Sequence, residues 1–323
     1  MSAIRSMGLL ALCLIVSLSA ISCDKSNSNT AAPAPPQAKS KPVIGVSLLT
    51  LANPFFTDMA DAMKAEGEKK GFEVVALAGE MDPAKQKDQV DNFIVQKVSA
   101  IVLTPCDSRS VGTAIADANA AGIPVFTADV ASLAQGPKVV SHCATDNFEG
   151  GRVAGKAVVE LLNGHGKVAL IDQPEVESGL MREKGFLEEV AKAPGIDVVA
   201  RLSAGGDREK SYAVAQDLVQ SHPDLDAIFT VNDPCALGAM SALEKAGKAD
   251  KIKIIGFDGQ PEARQAIKDG KLYATVMQHP KEIGKETIDN IARYLNGETV
   301  PPKVLLAPVI YRKADSATDQ DLK

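Results

Sequence analysis

From Val43 onward, short apolar runs alternate with longer stretches in which apolar residues recur every three or four positions. The runs are Val43–Leu49, Glu73–Ala78, Ala100–Thr104, Val125–Ala128, Val168–Asp172, Val198–Leu202, Ala227–Val231 and Ile252–Phe257. Between them Ala84–Lys97, Ser108–Ala121, Gly151–Leu162 and Ser211–Ser221 carry helical spacing. So does Phe56 to Lys70, with Phe56, Met59, Ala60 and Met63 on one face. Near-continuous apolar strands alternating with helices imply parallel sheets covered on both faces. Periodicity alone leaves two architectures open: doubly wound open sheets, and a closed barrel of eight strand–helix units.

Before Val43 the pattern changes. Met7 to Leu18 is apolar, is preceded by a single basic residue, Arg5, and is too short to span a bilayer comfortably. Residues 1–22 are therefore expected to be an export signal. The segment ends in Ala20-Ile21-Ser22-Cys23, which resembles a bacterial lipobox, with Ala20 where a leucine is usual. Cys23 is then the expected lipidation site. Residues 23–42, mostly Ser, Asn, Ala, Pro, Gln and Lys, have almost nothing to bury and are expected to form a disordered tether. The polar residues 314–323 are expected to fray.

Composition narrows the function classes. A chain of 323 residues with 45% apolar content is long enough for two lobes, each with its own core. Removing residues 1–22 takes away only Arg5 among the charged residues, so the net charge goes from −6 to −7. That acidity, with no basic stripe, argues against nucleic acid as a partner. Cys106, Cys143 and Cys235 form no C-x-x-C, and the four histidines show no ligand spacing. No metal or catalytic thiol is expected, and small buried hydrophobes are the ordinary role for these cysteines. There is no G-x-S-x-G, no P-loop and no G-x-G-x-x-G after a strand. Neither an enzyme nor a cofactor is expected.

Binding chemistry gathers where the apolar runs end. Asn53-Pro54-Phe55-Phe56 follows the first run, and proline stops that strand. An amide and two rings thus sit at the edge where open α/β sheets place ligands. Asp129 ends the fourth run, Asn232 and Asp233 the seventh, Phe257-Asp258 the eighth, and Gln278 follows Tyr273–Met277. Carboxylates accept hydrogen bonds from hydroxyls, amides both donate and accept, and ring faces suit the C–H faces of a sugar. Asn, Asp and Phe at such positions can equally be turn residues, helix caps and core.

The order of several motifs decides between these readings. Asn53-Pro54-Phe55-Phe56, Gly122-Ile123-Pro124-Val125, Ser141 to Asn147, Asn232 to Ala239, Ile255 to Gly259 and Gln278-His279-Pro280 occur in sequence. From Val43 to Tyr311 the chain resembles the periplasmic sugar-binding proteins of the ribose-binding type, the soluble receptors of ABC importers. The resemblance implies the type I periplasmic binding protein fold: α/β, two doubly wound parallel-sheet lobes joined by a three-crossover hinge. It implies an N-terminal lobe of residues 43–144 plus 278–306, a C-terminal lobe of 145–277 plus 307–313, and crossovers near Thr145, Met277-Gln278 and Leu305-Leu306. It assigns hydroxyl binding to Asn53, Asp129, Asn232, Asp258 and Gln278, and apolar walls to Phe55, Phe56 and Phe257.

The departures bear on the ligand. In ribose binders an arginine follows the aspartate of the fourth strand, where this chain has Val130. A second lies two residues before the arginine preserved here as Arg182, where this chain has Leu180. A third aromatic wall is replaced by Gly206. Asp129 and Asp258 are thus expected to lack charged donors, and Gln173, Glu175 and Glu177, in the loop where the lost arginine's segment begins, are expected to supply replacement contacts.

The expected protein is a lipid-anchored, monomeric substrate-binding protein at the periplasmic or cell-surface side of a bacterial membrane. It would capture a sugar or sugar-like ligand other than ribose by hinge closure and hand it to an ABC permease. The alternative is a sensory receptor of the same fold that signals to a kinase or chemoreceptor. A repressor of this fold would need a DNA-binding headpiece where the export signal and tether lie.

Overall fold

The structure is a computed structural model that describes residues 41–322. Cys23 and most of the tether lie outside the described residues. The first half of the chain runs β1 (Val43–Leu48), α1 (Pro54–Lys69), β2 (Glu73–Ala78), α2 (Pro83–Val95), β3 (Ala100–Leu103), α3 (Gly112–Ala120), β4 (Val125–Ala128) and β5 (His142–Thr145). The second continues with α4 (Asn147–Leu161), β6 (His165–Asp172), α5 (Glu177–Val190), β7 (Gly195–Ser203), α6 (Arg208–Ser221), β8 (Ala227–Thr230), α7 (Asp233–Lys245), β9 (Lys253–Asp258), α8 (Pro261–Lys268) and β10 (Ala274–Met277). It closes with α9 (Pro280–Leu295), β11 (Lys303–Leu306) and β12 (Val309–Arg312).

These strands form two six-stranded sheets, ordered β11-β5-β4-β3-β1-β2 and β12-β10-β9-β8-β6-β7. Two open sheets exclude the single barrel. All pairings are parallel except β12 against β10. The chain passes between the sheets after β5, after β10 and after β11, which gives a hinge of three strands. The sheets are covered on both faces. In the first lobe Ile44, Val46 and Leu48 pack with Met59 and Met63 of α1 on one side, while Ile101 and Leu103 pack with Ile115 on the other. In the second, Ile254 and Phe257 of the same strand enter separate clusters on opposite faces, as the two-residue side-chain period of a strand requires.

Strand-to-helix transitions place the polar groups. Asn53 is the N-cap of α1, accepting from the Phe55 N–H at 2.9 Å, with Pro54 in the first turn. Asn232 caps α7 in the same way through the Cys235 N–H at 2.9 Å. Helix α3 starts at Gly112 rather than at Ser108, because the Ser108 N–H and carbonyl are bonded outside any helix, to Glu175 and Leu133. Residues 314–322 do not fray as expected. Lys313–Ala317 forms a 3₁₀ turn, and Asp319 accepts from Arg264 and, at 2.7 Å, from the Tyr311 hydroxyl. Arg264 is nearly buried on α8 and needs an anion, and the tail supplies it.

Candidate functional site

A cavity of about 40 Å³ lies between the C-terminal edges of the two sheets. Asn53, Phe55, Phe56, Asp129 and Val130 reach it from the first lobe, Asn232 and Asp258 from the second, and Gln278 from the hinge. Phe55 and Phe56 meet edge to face, with ring centroids 5.1 Å apart. Each is only 4% exposed, so both rings also belong to the first lobe's core.

Two of the residues expected at the site lie elsewhere. Phe257 is fully buried beneath the cavity rather than in its wall. As part of β9 it points to the sheet face, where its ring meets Gly150 of α4, at which a Cβ would come within 2.5 Å of that ring. Leu180 is half-buried and does not line the cavity. It sits about 200° around α5 from Arg182, whereas Ser178 and Arg182, four residues apart, share the face that does.

Arg182 corrects a second expectation, because Asp258 has a charged donor beside it. The Arg182 guanidinium is buried, its Nη1 3.7 Å from Asp258 Oδ1. It lies 3.8 Å above the Phe257 ring, a cation–π contact. Its Nε donates to Asn147 Oδ1 at 2.8 Å and its Nη1 to the Val231 carbonyl at 2.7 Å. Asp146, the N-cap of α4, accepts instead from the Glu149 N–H.

Asp258 is the centre of a network that spans both lobes. Its Oδ1 accepts from Gln278 Nε2 at 2.7 Å, and its Oδ2 from Gln260 Nε2 at 3.0 Å and Asn53 Nδ2 at 3.2 Å. Gln260 Nε2 also reaches Asn53 Oδ1, at 2.6 Å. Asn232 spends its Oδ1 on the α7 cap and its Nδ2 on the Gly206 carbonyl at 3.0 Å. Gly206 has φ +74°, and a Cβ there would lie 2.5 Å from Gln173 Oε1, so the backbone itself closes that wall. Gln173 lines the cavity; Glu175 is exposed, and Glu177 is buried at the start of α5.

Asp129 has no such partners. It sits at φ +62° in a turn in which the Val130 N–H donates to the Ala128 carbonyl at 2.7 Å, the three-residue γ-turn that is rare for a non-glycine residue. Its Oδ1 is buried and unpaired, as is Gln278 Oε1. Burial, with the Asp258 and Glu177 carboxylates adding, pushes the Asp129 carboxyl up to about 7, against the pull of Arg182. Burial also raises Asp258, with Arg182 and the three amide donors opposing, and it lowers Arg182. Among the described residues one guanidinium therefore faces several carboxyl groups, and two acceptors at the cavity have no donor. Such a cavity suits a neutral ligand that brings hydroxyl protons.

Sequence reasoning missed Thr50, Met81, Val176 and Ser178 in the lining, since none lies in a motif or at a strand end rich in polar residues. Among the described residues no group of His, Cys, Asp or Glu is placed to hold a metal ion, and no helix is long and apolar enough to cross a membrane.

Comparison with known proteins gives a consistent picture. A periplasmic binding protein domain matches residues 44–299. The ribose import binding protein of Salmonella typhimurium is 39% identical over 268 residues, covering 82% of this chain and 89% of that protein. The D-apiose import binding protein of Paraburkholderia graminis is 32% identical, covering 82% of this chain and 85% of that protein. A periplasmic solute-binding protein of Actinobacillus succinogenes, solved with D-allose, superposes with a TM-score of 0.80 at 31% identity over 86% of this chain and all of that one.

Proposed function

We propose, from the premise that this chain belongs to the periplasmic binding protein family as a ribose-binding-type sugar receptor of ABC importers, that it captures a neutral sugar or sugar-like ligand other than ribose. The observation that carries the reading is the pair of buried, unpaired acceptors at the cavity, Asp129 Oδ1 and Gln278 Oε1. A buried acceptor without a donor costs about 1–3 kcal/mol, and a ligand hydroxyl donating to each removes that cost. The excess of carboxyl groups over guanidinium disfavours sugar phosphates and sugar acids. The relatives' names span ribose and apiose, and that solved structure holds allose, so family membership leaves the sugar open.

Val130 and Gly206, which line the cavity, disfavour ribose, and Leu180, which does not line it, plays no part. Where ribose receptors carry a forked donor, Val130 offers a methyl surface, and Val176 and Met81 also line the cavity. A hydroxyl facing that wall would lose a charge-assisted hydrogen bond, whereas a methyl group or ring C–H face fits it. Deoxysugars and substituted sugars should therefore outrank ribose. The same reading gives Cys23 a lipid anchor holding the receptor beside its permease, and Cys23→Ser should abolish labelling with radioactive palmitate in the bacterial host.

A thermal-shift panel of D-ribose, D-apiose, D-allose, D-fucose, myo-inositol and ribose 5-phosphate tests the ligand class. Binding raises stability by RT ln(1 + [L]/Kd), about 2.7 kcal/mol at a hundredfold excess over Kd. At least one neutral compound should shift the melting temperature more than ribose, and the phosphate should not shift it. A shift largest for the phosphate, or for ribose, would overturn the corresponding part of the reading.

A further inference from the structure

The first turn of α5 has no cap of its own, because Val176 precedes it with no side-chain acceptor. The hydroxyl that meets this turn belongs to the other lobe. Ser108, between β3 and α3, accepts from the Glu177 N–H with its Oγ at 2.8 Å while donating to the Ala131 carbonyl at 2.7 Å. Its N–H donates to the Glu175 carbonyl at 3.0 Å, and its carbonyl accepts from the Leu133 N–H at 2.7 Å. Ser108 is fully buried, and two of these four bonds cross from one lobe to the other. The Arg109 side chain adds a third crossing contact, to the Pro174 carbonyl at 3.4 Å. Val176, next in the same segment, packs into the first lobe's apolar cluster.

The Glu177 N–H is one of the donors that a helix start leaves without an intrahelical partner. When the lobes part, water must take the place of the serine. When they meet, the hydroxyl completes the helix, and that helix presents Ser178 and Arg182 to the cavity. We propose that Ser108 is a positioning residue that caps α5 in trans across the cleft, so that lobe closure and the placement of Ser178 and Arg182 are a single event. The proposal rests on the sugar-receptor reading for what closure serves, but the cap itself involves no ligand atom. It also explains why the helical spacing that begins at Ser108 is not used until Gly112: the serine's backbone groups are committed to the neighbouring segments.

Amide hydrogen exchange of the wild type, Ser108→Ala and Ser108→Thr tests it. Each is measured alone and with D-ribose, D-apiose, D-allose or myo-inositol as probe. Loss of the cap should speed exchange in residues 177–182 about fivefold, the scale of an N-cap, and the Ser108→Thr protein, which keeps a hydroxyl, should resemble the wild type. A serine that merely held its own lobe would alter only residues 131–134. Unchanged exchange at 177–182 in Ser108→Ala, in every state, overturns the proposal. Failure of the sugar reading would show separately: no probe would raise the wild-type melting temperature while the exchange difference persisted.

Discussion

Asp129 and Asp258 occupy equivalent places in the two lobes, the first just beyond β4 and the second at the end of β9. Both are buried, and both have positive φ, +62° and +126°. Their surroundings differ. Asp258 accepts from three side-chain amides and faces Arg182, so its charge is compensated by the protein. Asp129 faces the cavity with an oxygen that no donor among the described residues reaches. The same residue type at the same topological point thus serves two ends: one holds the lobes and hinge together, and the other is left for what enters between them.

Asp258→Ala should have the largest effect. It removes the carboxylate nearest the buried Arg182 guanidinium and releases Asn53, Gln260 and Gln278 from a common acceptor, so denaturant unfolding should show a loss of about 3–5 kcal/mol. A loss under about 1 kcal/mol would mean that Asp258 is not the hub described.

Asp129→Asn should do the reverse to stability, and the contrast is pH-dependent. With its carboxyl pushed up to about 7 in the folded protein from an ordinary 3.8, the folded state holds a proton that the unfolded state has lost. Stability conferred by protonation is full below about 4 and falls as pH rises to about 7. The advantage of Asp129→Asn over wild type should grow across that window and then level, reaching on the order of 4 kcal/mol. Melting curves from pH 4 to 8 check this, and a constant difference would contradict it.

Val130→Arg should sharpen the ligand argument. It returns a forked donor to the cavity wall next to Asp129 and should strengthen ribose binding by about 1.5–3 kcal/mol relative to a deoxysugar. Equal changes for both, by calorimetry, would remove Val130 as a determinant of choice. The smallest effect is expected at Leu180, because it lies off the cavity: Leu180→Ala should leave sugar affinity within about 0.5 kcal/mol of wild type. A larger change would place that side chain nearer the ligand than the helix phase of α5 allows.

The errors of the sequence reading share a physical origin. Strand ends were legible, because apolar runs stop at Asn53, Asp129, Asn232 and Asp258, and those side chains do reach the cavity. Side-chain direction was harder to read. Phe257 lies one residue from Asp258, and the alternation of the strand turns it into the core. Leu180 lies two residues from Arg182, and helix rotation carries it away from the site. Of the donors to Asp258, Gln260 is two residues on, but Gln278, Asn53 and the Arg182 guanidinium that pairs with it are distant in the chain, so no local pattern could reveal that it is compensated and Asp129 is not. The docking of the polar tail was hidden for the same reason, since the residue it neutralises, Arg264, is buried on another element.

In the proposed function, a neutral sugar bound between the lobes donates a hydroxyl to Asp129. Calorimetric titration of wild type and Asp129→Ala, with the sugar that gives the largest thermal shift, tests it most directly. One site per chain is expected in the wild type and an affinity loss of about 1.5–3 kcal/mol in the variant, with its fold intact. Equal affinity in the two proteins would contradict it.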